Sequence, residues 1–176
     1  MRVRDHIAIS TAAAAALRPW LGRRVLGLWA GGVLIDADHY LWFWRHERRL
    51  SLAAAVRFFN AGRAPAVPAT RVLHHPAAVL PLLALGLPRR RLRPLALGVG
   101  LHVALDAAHE MRMHTARLAA LERDGSSCQE CGVREGGVGT HLWRQPLLLP
   151  SYDAENLISL CDGCHQRVHH ALAGAH

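Results

Sequence analysis

The sequence predicts a mainly α-helical protein in two parts, a helical bundle over residues 1–110 and a small zinc-stapled module over residues 117–170. Three observations predict this. Apolar runs of helical length fill the first part, and four cysteines stand in two C-x-x-C pairs after residue 127. Between them, near residues 110–120, the composition shifts from apolar to polar and glycine-rich.

A chain of 176 residues is enough for one medium domain or two small ones. Its formal net charge is +8, and all 21 basic residues are arginine. Guanidinium groups bind phosphate through two parallel hydrogen bonds, so such a chain favours nucleic acid or anionic lipid. Paired C-x-x-C motifs read as metal ligands rather than disulfides, which implies a reducing compartment, most simply the cytoplasm. The amino-terminal stretch, two arginines and then an alanine-rich run, mimics a signal peptide. Asp5 and His6 interrupt it, and export would place four metal-binding thiols in an oxidising space.

In chain order, residues 7–17 predict a short alanine-rich helix stopped at Pro19. Residues 25–44 form a long apolar run holding Asp36, Asp38 and His39, closed by charge at 45–49. Residues 52–59 suit another helix, and residues 60–70, with Gly62, Pro65 and Pro68, a loop. Residues 72–87 are apolar after His74 and His75, residues 89–93 form a basic turn, and residues 95–108 are apolar with His102 and Asp106. Residues 110–123 read as a helix and residues 132–139 as a flexible glycine-rich stretch. Residues 140–149 suit a strand, 150–153 a turn, and 162–172 a short helix.

A membrane span needs about 20 mostly apolar residues. Only residues 25–44 reach that length, and they carry two acids. Arginine clusters at 23–24, 45–49 and 89–93 flank the runs as cytoplasmic loops would, and Trp20, Trp29, Trp42 and Trp44 suit an interface. Two placements therefore stay open for the first part. It is either a soluble bundle or a bundle associated with the membrane through its helices, on the cytoplasmic face of the inner membrane.

Cys128-x-x-Cys131 and Cys161-x-x-Cys164 are 29 residues apart. Each pair turns two thiolates to one side, and two pairs supply the four sulfurs of a tetrahedral zinc. Four sulfurs leave no open position, so this zinc is structural. His165 follows Cys164 directly, and His165 and His169 share one helix face, able to hold a second, catalytic divalent cation such as Mg, Mn or Zn.

The string LERDGSSCQECG, then His141, then ENLISLCDGCHQRVH resembles the HNH endonuclease family, with its ββα-metal fold. The resemblance covers residues 117–170. It implies that His141 is the general base that activates water and that Asn156 holds the loop orienting it. It implies also that His165 binds the metal, with His169 matching the second ligand of colicin-type members. The implied partner is nucleic acid, DNA ahead of RNA, and Arg134, Arg144 and Arg167 are candidates to hold the flanking phosphates. Thr140 departs from the family, which usually has Asp or His before the base as a further ligand. A Thr hydroxyl is a poor ligand, so two outcomes stay open: cleavage, or binding of nucleic acid without cleavage.

Charged residues within apolar segments are costly unless paired or metal-bound. Asp36, Asp38, His39, His75, His102 and Asp106 therefore form a second candidate metal set. With His6, D-A-D-H at 36–39, His74-His75 and the H-x-x-x-D from His102 to Asp106, residues 1–110 resemble the membrane-bound metal-dependent hydrolases. Those usually have Ser where Pro76 stands. The resemblance implies a metal and a membrane more than a reaction. The expected function is a metal-dependent HNH endonuclease hydrolysing phosphodiester bonds. The alternative is a membrane-bound metal-dependent hydrolase whose HNH module only binds nucleic acid or is inactive.

Overall fold

The computed structural model describes residues 1–60, 71–134, 137–144, 149 and 151–173. Of the loop expected at 60–70, Asn60 belongs to a helix and residues 61–70 lie outside the described residues, as do parts of the 132–139 and 140–149 stretches and Pro150. The fold is mainly helical with one small two-stranded antiparallel sheet. It divides into two compact units, residues 1–107 and 108–176, close to the composition shift.

In unit 1, helix α1 spans Val3–Leu21 and encloses Pro19 instead of stopping before it. A proline so close to the end forfeits few backbone bonds, and the helix closes two residues later. The apolar run 25–44 is not one helix. It forms α2, Val25–Leu34, and α3, Ala37–Glu47, with a turn at Ile35 and Asp36. Helix α4 is Leu52–Asn60, and α5 is Pro76–Gly86 with Pro76 at its first position, where a missing N–H costs nothing. Helix α6, Arg93–Arg123, joins two segments expected to be separate. No helix among the described residues is long and apolar enough to cross a membrane.

Glycines set how closely α1, α2 and α6 approach. A Cβ at Gly31 would collide with the Leu95 carbonyl, and one at Gly98 with the Leu28 carbonyl. A Cβ at Gly32 would strike the Ser10 hydroxyl. Helices this close bring His6 on α1, Asp36 after α2 and His102 on α6 within ligand reach of one another. Ile35, Val79 and Val99 form the apolar core beside them, with Leu83 and Val103 packed against it.

In unit 2, β1, Val138–Leu142, pairs antiparallel with β2, Leu157–Cys161, with His141 opposite Ile158. Helix α7, Asp162–Ala173, follows β2 directly. The end of α6 packs Ala116 and Ala120 on Leu157. Leu160 sits between Cys128 and Cys164 in a second small core. Asp124 accepts from the Ser159 backbone N–H (3.1 Å) and from Arg123 (2.7 and 2.8 Å), while Arg123 also donates to the Ala154 and Leu157 carbonyls, both at 2.8 Å. These bonds fasten the sheet to the helix.

Candidate functional site

Three clusters of metal-ligating side chains stand among the described residues outside any disulfide. The first is the cysteine set. Cys128, Cys131, Cys161 and Cys164 are unbridged, and their sulfurs lie within 4.8 Å of one another. The Cys131 and Cys161 sulfurs are 3.7 Å apart. Tetrahedral zinc with bonds of about 2.3 Å places its sulfurs about 3.8 Å apart, so the four could hold a metal such as zinc. The first knuckle closes through the Gly132 N–H to the Cys128 carbonyl (2.8 Å), with Gly132 at φ +76°. Backbone N–H groups of Cys161, Cys131 and Glu130 pull the Cys128 thiol down to about 6, as suits a ligand thiolate. Arg167, assigned from sequence to a phosphate, donates to the Cys164 sulfur at 2.9 Å. Burial and the neighbouring cysteines push the Cys164 thiol far up, and the Arg167 charge works against them. The sequence signal was the three-residue step from Cys164 along one helix face.

The second cluster joins β1 to α7. His141 is buried at 6% exposure, and its Nδ1 lies 3.0 Å from His165 Nε2. His169 Nε2 lies 3.2 Å from His165 Nε2. Burial, then the neighbouring His165 and His169, lower the His141 pKa, and burial does the same for His165. Three imidazoles this close could hold a shared cation. Ligands about 2.05 Å from a tetrahedral ion stand about 3.3 Å apart. A base acting through an intervening water would stand farther off. The structure brings His141, expected as the general base, to ligand spacing from His165, so that it could also join His165 and His169 on a cation. Thr140 faces the other side of β1, because strand side chains alternate, and pairs with Ser159. Asn156 bonds the Arg144 backbone twice, accepting from its N–H (2.9 Å) and donating to its carbonyl (2.8 Å). It pins the end of the hairpin that carries His141. The Arg144 and Arg134 side chains are exposed.

The third cluster is in unit 1. His102 is fully buried, and its Nδ1 lies 2.9 Å from the Gly32 carbonyl. A carbonyl only accepts, so Nδ1 carries the proton and Nε2 presents a lone pair. His74 Nδ1 lies 3.0 Å from Asp38 Oδ2. The Asp38 carboxyl, against the opposing effect of burial, is held far below its usual range by His39 and His74. His74 Nε2 therefore also presents a lone pair, 2.9 Å from His102 Nε2. Asp36 Oδ1 stands 3.5 and 3.6 Å from these two nitrogens, and Asp106 Oδ2 3.8 and 3.5 Å. Two lone pairs cannot face each other at 2.9 Å without a proton or a cation between them. A proton on His74 would meet the need: against the desolvation that lowers it, hydrogen bonds to Asp36 and Asp38 raise His74 to about 9.

One sequence assignment changes here. His75 is exposed and outside the cluster; as the residue before Pro76 it is extended, and its Nδ1 caps α5 through the Ala77 N–H at 3.2 Å. His74 stands in its place. Asp38 and His39 bond each other, and Asp38 also accepts from the Leu73 N–H at 2.9 Å. They orient His74, and with it they form a further group whose ligand atoms lie within 4.8 Å of one another and could hold a metal ion.

No protein-family model, curated protein or solved structure matches the chain.

Proposed function

We propose that unit 2 is a metal-dependent HNH-type endonuclease that hydrolyses phosphodiester bonds in nucleic acid, with DNA as the first substrate to test. The observation that carries this is the ββα order itself. The sheet and α7 gather His141, His165 and His169 beside four zinc-ready cysteines. The zinc staples the fold, and His141, His165 and His169 hold the catalytic cation, Mg, Mn or Zn. When bound, that cation lowers the pKa of water and takes up charge at the phosphoryl group. Asn156 fixes the hairpin so that His141 keeps its place. Exposed Arg134 and Arg144 bind the flanking phosphates, and Arg167 serves the zinc thiolates. Plasmid DNA incubated with full-length protein and Mn²⁺ tests the reading: nicking that is lost in His165→Ala supports it, and no cleavage under any divalent cation refutes it.

A second reading is favoured by the four donors between His74 and His102. Unit 1 is then a metal-dependent hydrolase in its own right. Its exposed Trp20 and Leu26, close in sequence to Arg18, Arg23 and Arg24, suit association with an anionic membrane surface. Loss of cation content in His102→Ala, with the endonuclease unaffected, is its test.

A further inference from the structure

We propose that unit 1 holds a pair of divalent cations bridged by Asp36 and Asp106, and that the pair takes an anionic phosphate ester. This rests on the reading of unit 1 as a metal centre and deepens it.

One ion does not account for the donors present. The point between His74 Nε2 and His102 Nε2, with Asp36 Oδ1 and Asp106 Oδ2 around it, already provides four ligands. A transition-metal ion there would be satisfied. Beside it lies a further set that shares both carboxylates. Asp106 Oδ1 points away from that ion toward His6, whose Nε2 is 3.0 Å off, and toward the Met1 amino group at 2.6 Å. His6 is itself 1% exposed and stacks on His102 with ring centroids 3.7 Å apart. The ligand atoms of His6, Asp36 and His102 all lie within 4.8 Å of one another.

Two buried atoms mark the second position independently. Asp36 Oδ2 and His6 Nδ1 are buried without any hydrogen-bond partner, on side chains 10% and 1% exposed. An unpartnered buried carboxylate oxygen is costly, so its retention needs a reason. A cation on the His6 side supplies one for Asp36. The two carboxylates then each give one oxygen to either ion, which is how ions about 3.5–4 Å apart are held in two-metal hydrolases. Asp38 is not needed as a bridge, since its oxygens face His39, His74 and the Leu73 N–H, whereas Asp106 Oδ1 would exchange its Met1 contact for the second ion.

Charge selects the ligand class. Asp36, Asp38 and Asp106 bring three negative charges against four from two divalent ions. The centre is formally positive and attracts an oxyanion. Paired ions stabilise both the attacking and the leaving oxygen of an in-line displacement at phosphorus.

The test uses full-length protein carrying His165→Ala and His169→Ala, so that unit 2 contributes no manganese. It is dialysed against Mn²⁺ with its zinc retained. Bound manganese is then counted and its low-temperature electron paramagnetic resonance recorded. The expected result is two ions per chain with an exchange-coupled signal, which inorganic phosphate perturbs. Asp106→Asn keeps the side-chain shape and should return the signal to that of isolated ions. His6→Gln should retain one ion. One ion per chain with an isolated-ion signal before any change in unit 1 would overturn the pair while leaving the metal centre standing. Unchanged manganese content in His102→Ala, with folding verified by circular dichroism, would instead overturn the metal centre itself.

Discussion

His141 Nδ1 lies 3.0 Å from His165 Nε2, across the step from β1 to α7. That distance separates two roles for His141. As a ligand, its removal should weaken cation binding by at least about 100-fold, since loss of outer hydrogen-bond partners alone costs 10- to 100-fold. As a base standing off the cation, its removal would leave affinity unchanged and slow cleavage by about 100- to 10,000-fold. Titration calorimetry of Mn²⁺ into His141→Ala, zinc retained, should show the affinity loss. Equal affinity in wild type and variant would return His141 to the role of base.

The cysteine cluster makes folding of unit 2 depend on metal. Structural zinc in a unit this small is inseparable from its fold. Cys161→Ser, or a strong chelator, should abolish protection of unit 2 from limited proteolysis, with one tightly held zinc lost. A zinc-free chain that keeps the protection would refute the staple.

Asp124 is held down to about 2, chiefly by the Arg123 hydrogen bonds and, against burial, by Ser159. A depressed carboxylate contributes stability in full above its ordinary value of 3.8, and the contribution is lost as pH falls through about 2. At pH 7 the whole of it is present. Asp124→Asn should therefore lower the stability of unit 2 by about 1 kcal/mol, discounted because Arg123 is partly exposed. Urea unfolding at pH 7 reads this directly; an unchanged midpoint would mean that Arg123 and Ser159 find other partners.

In unit 1, Gly98→Ala drives a methyl group into the Leu28 carbonyl. It should cost about 1–3 kcal/mol and reduce cation content, because α2 and α6 must separate. Gly100→Ala meets only Leu83 Cδ2 at 3.7 Å and should be neutral or stabilising by up to about 1 kcal/mol through helix propensity. Thermal unfolding of the two variants compares them; equal melting temperatures would refute the close approach.

The local patterns were legible in the sequence, and the long-range ones were not. Paired C-x-x-C motifs and the four-residue step from His165 to His169 announce two clusters without a structure. The split of residues 25–44 at Asp36 was partly legible, since an acid before a helical run marks a helix start. The choice between His74 and His75 turns on Pro76, whose ring forces the preceding residue into extended backbone and a capping role. The merging of 95–108 with 110–123 was hidden, because neither glycine nor proline marks a break there and composition alone suggested one. The approach of His6 and Asp36 to His102 depends on glycine contacts between helices far apart in sequence, which no local pattern encodes.

Nicking of supercoiled plasmid DNA by full-length protein, with Mn²⁺ added and zinc retained, tests the endonuclease most directly. Wild type and His102→Ala should both cut, while His165→Ala should fall to background. Cleavage by His165→Ala at the wild-type rate, or no cleavage by wild type under any divalent cation, would contradict the assignment.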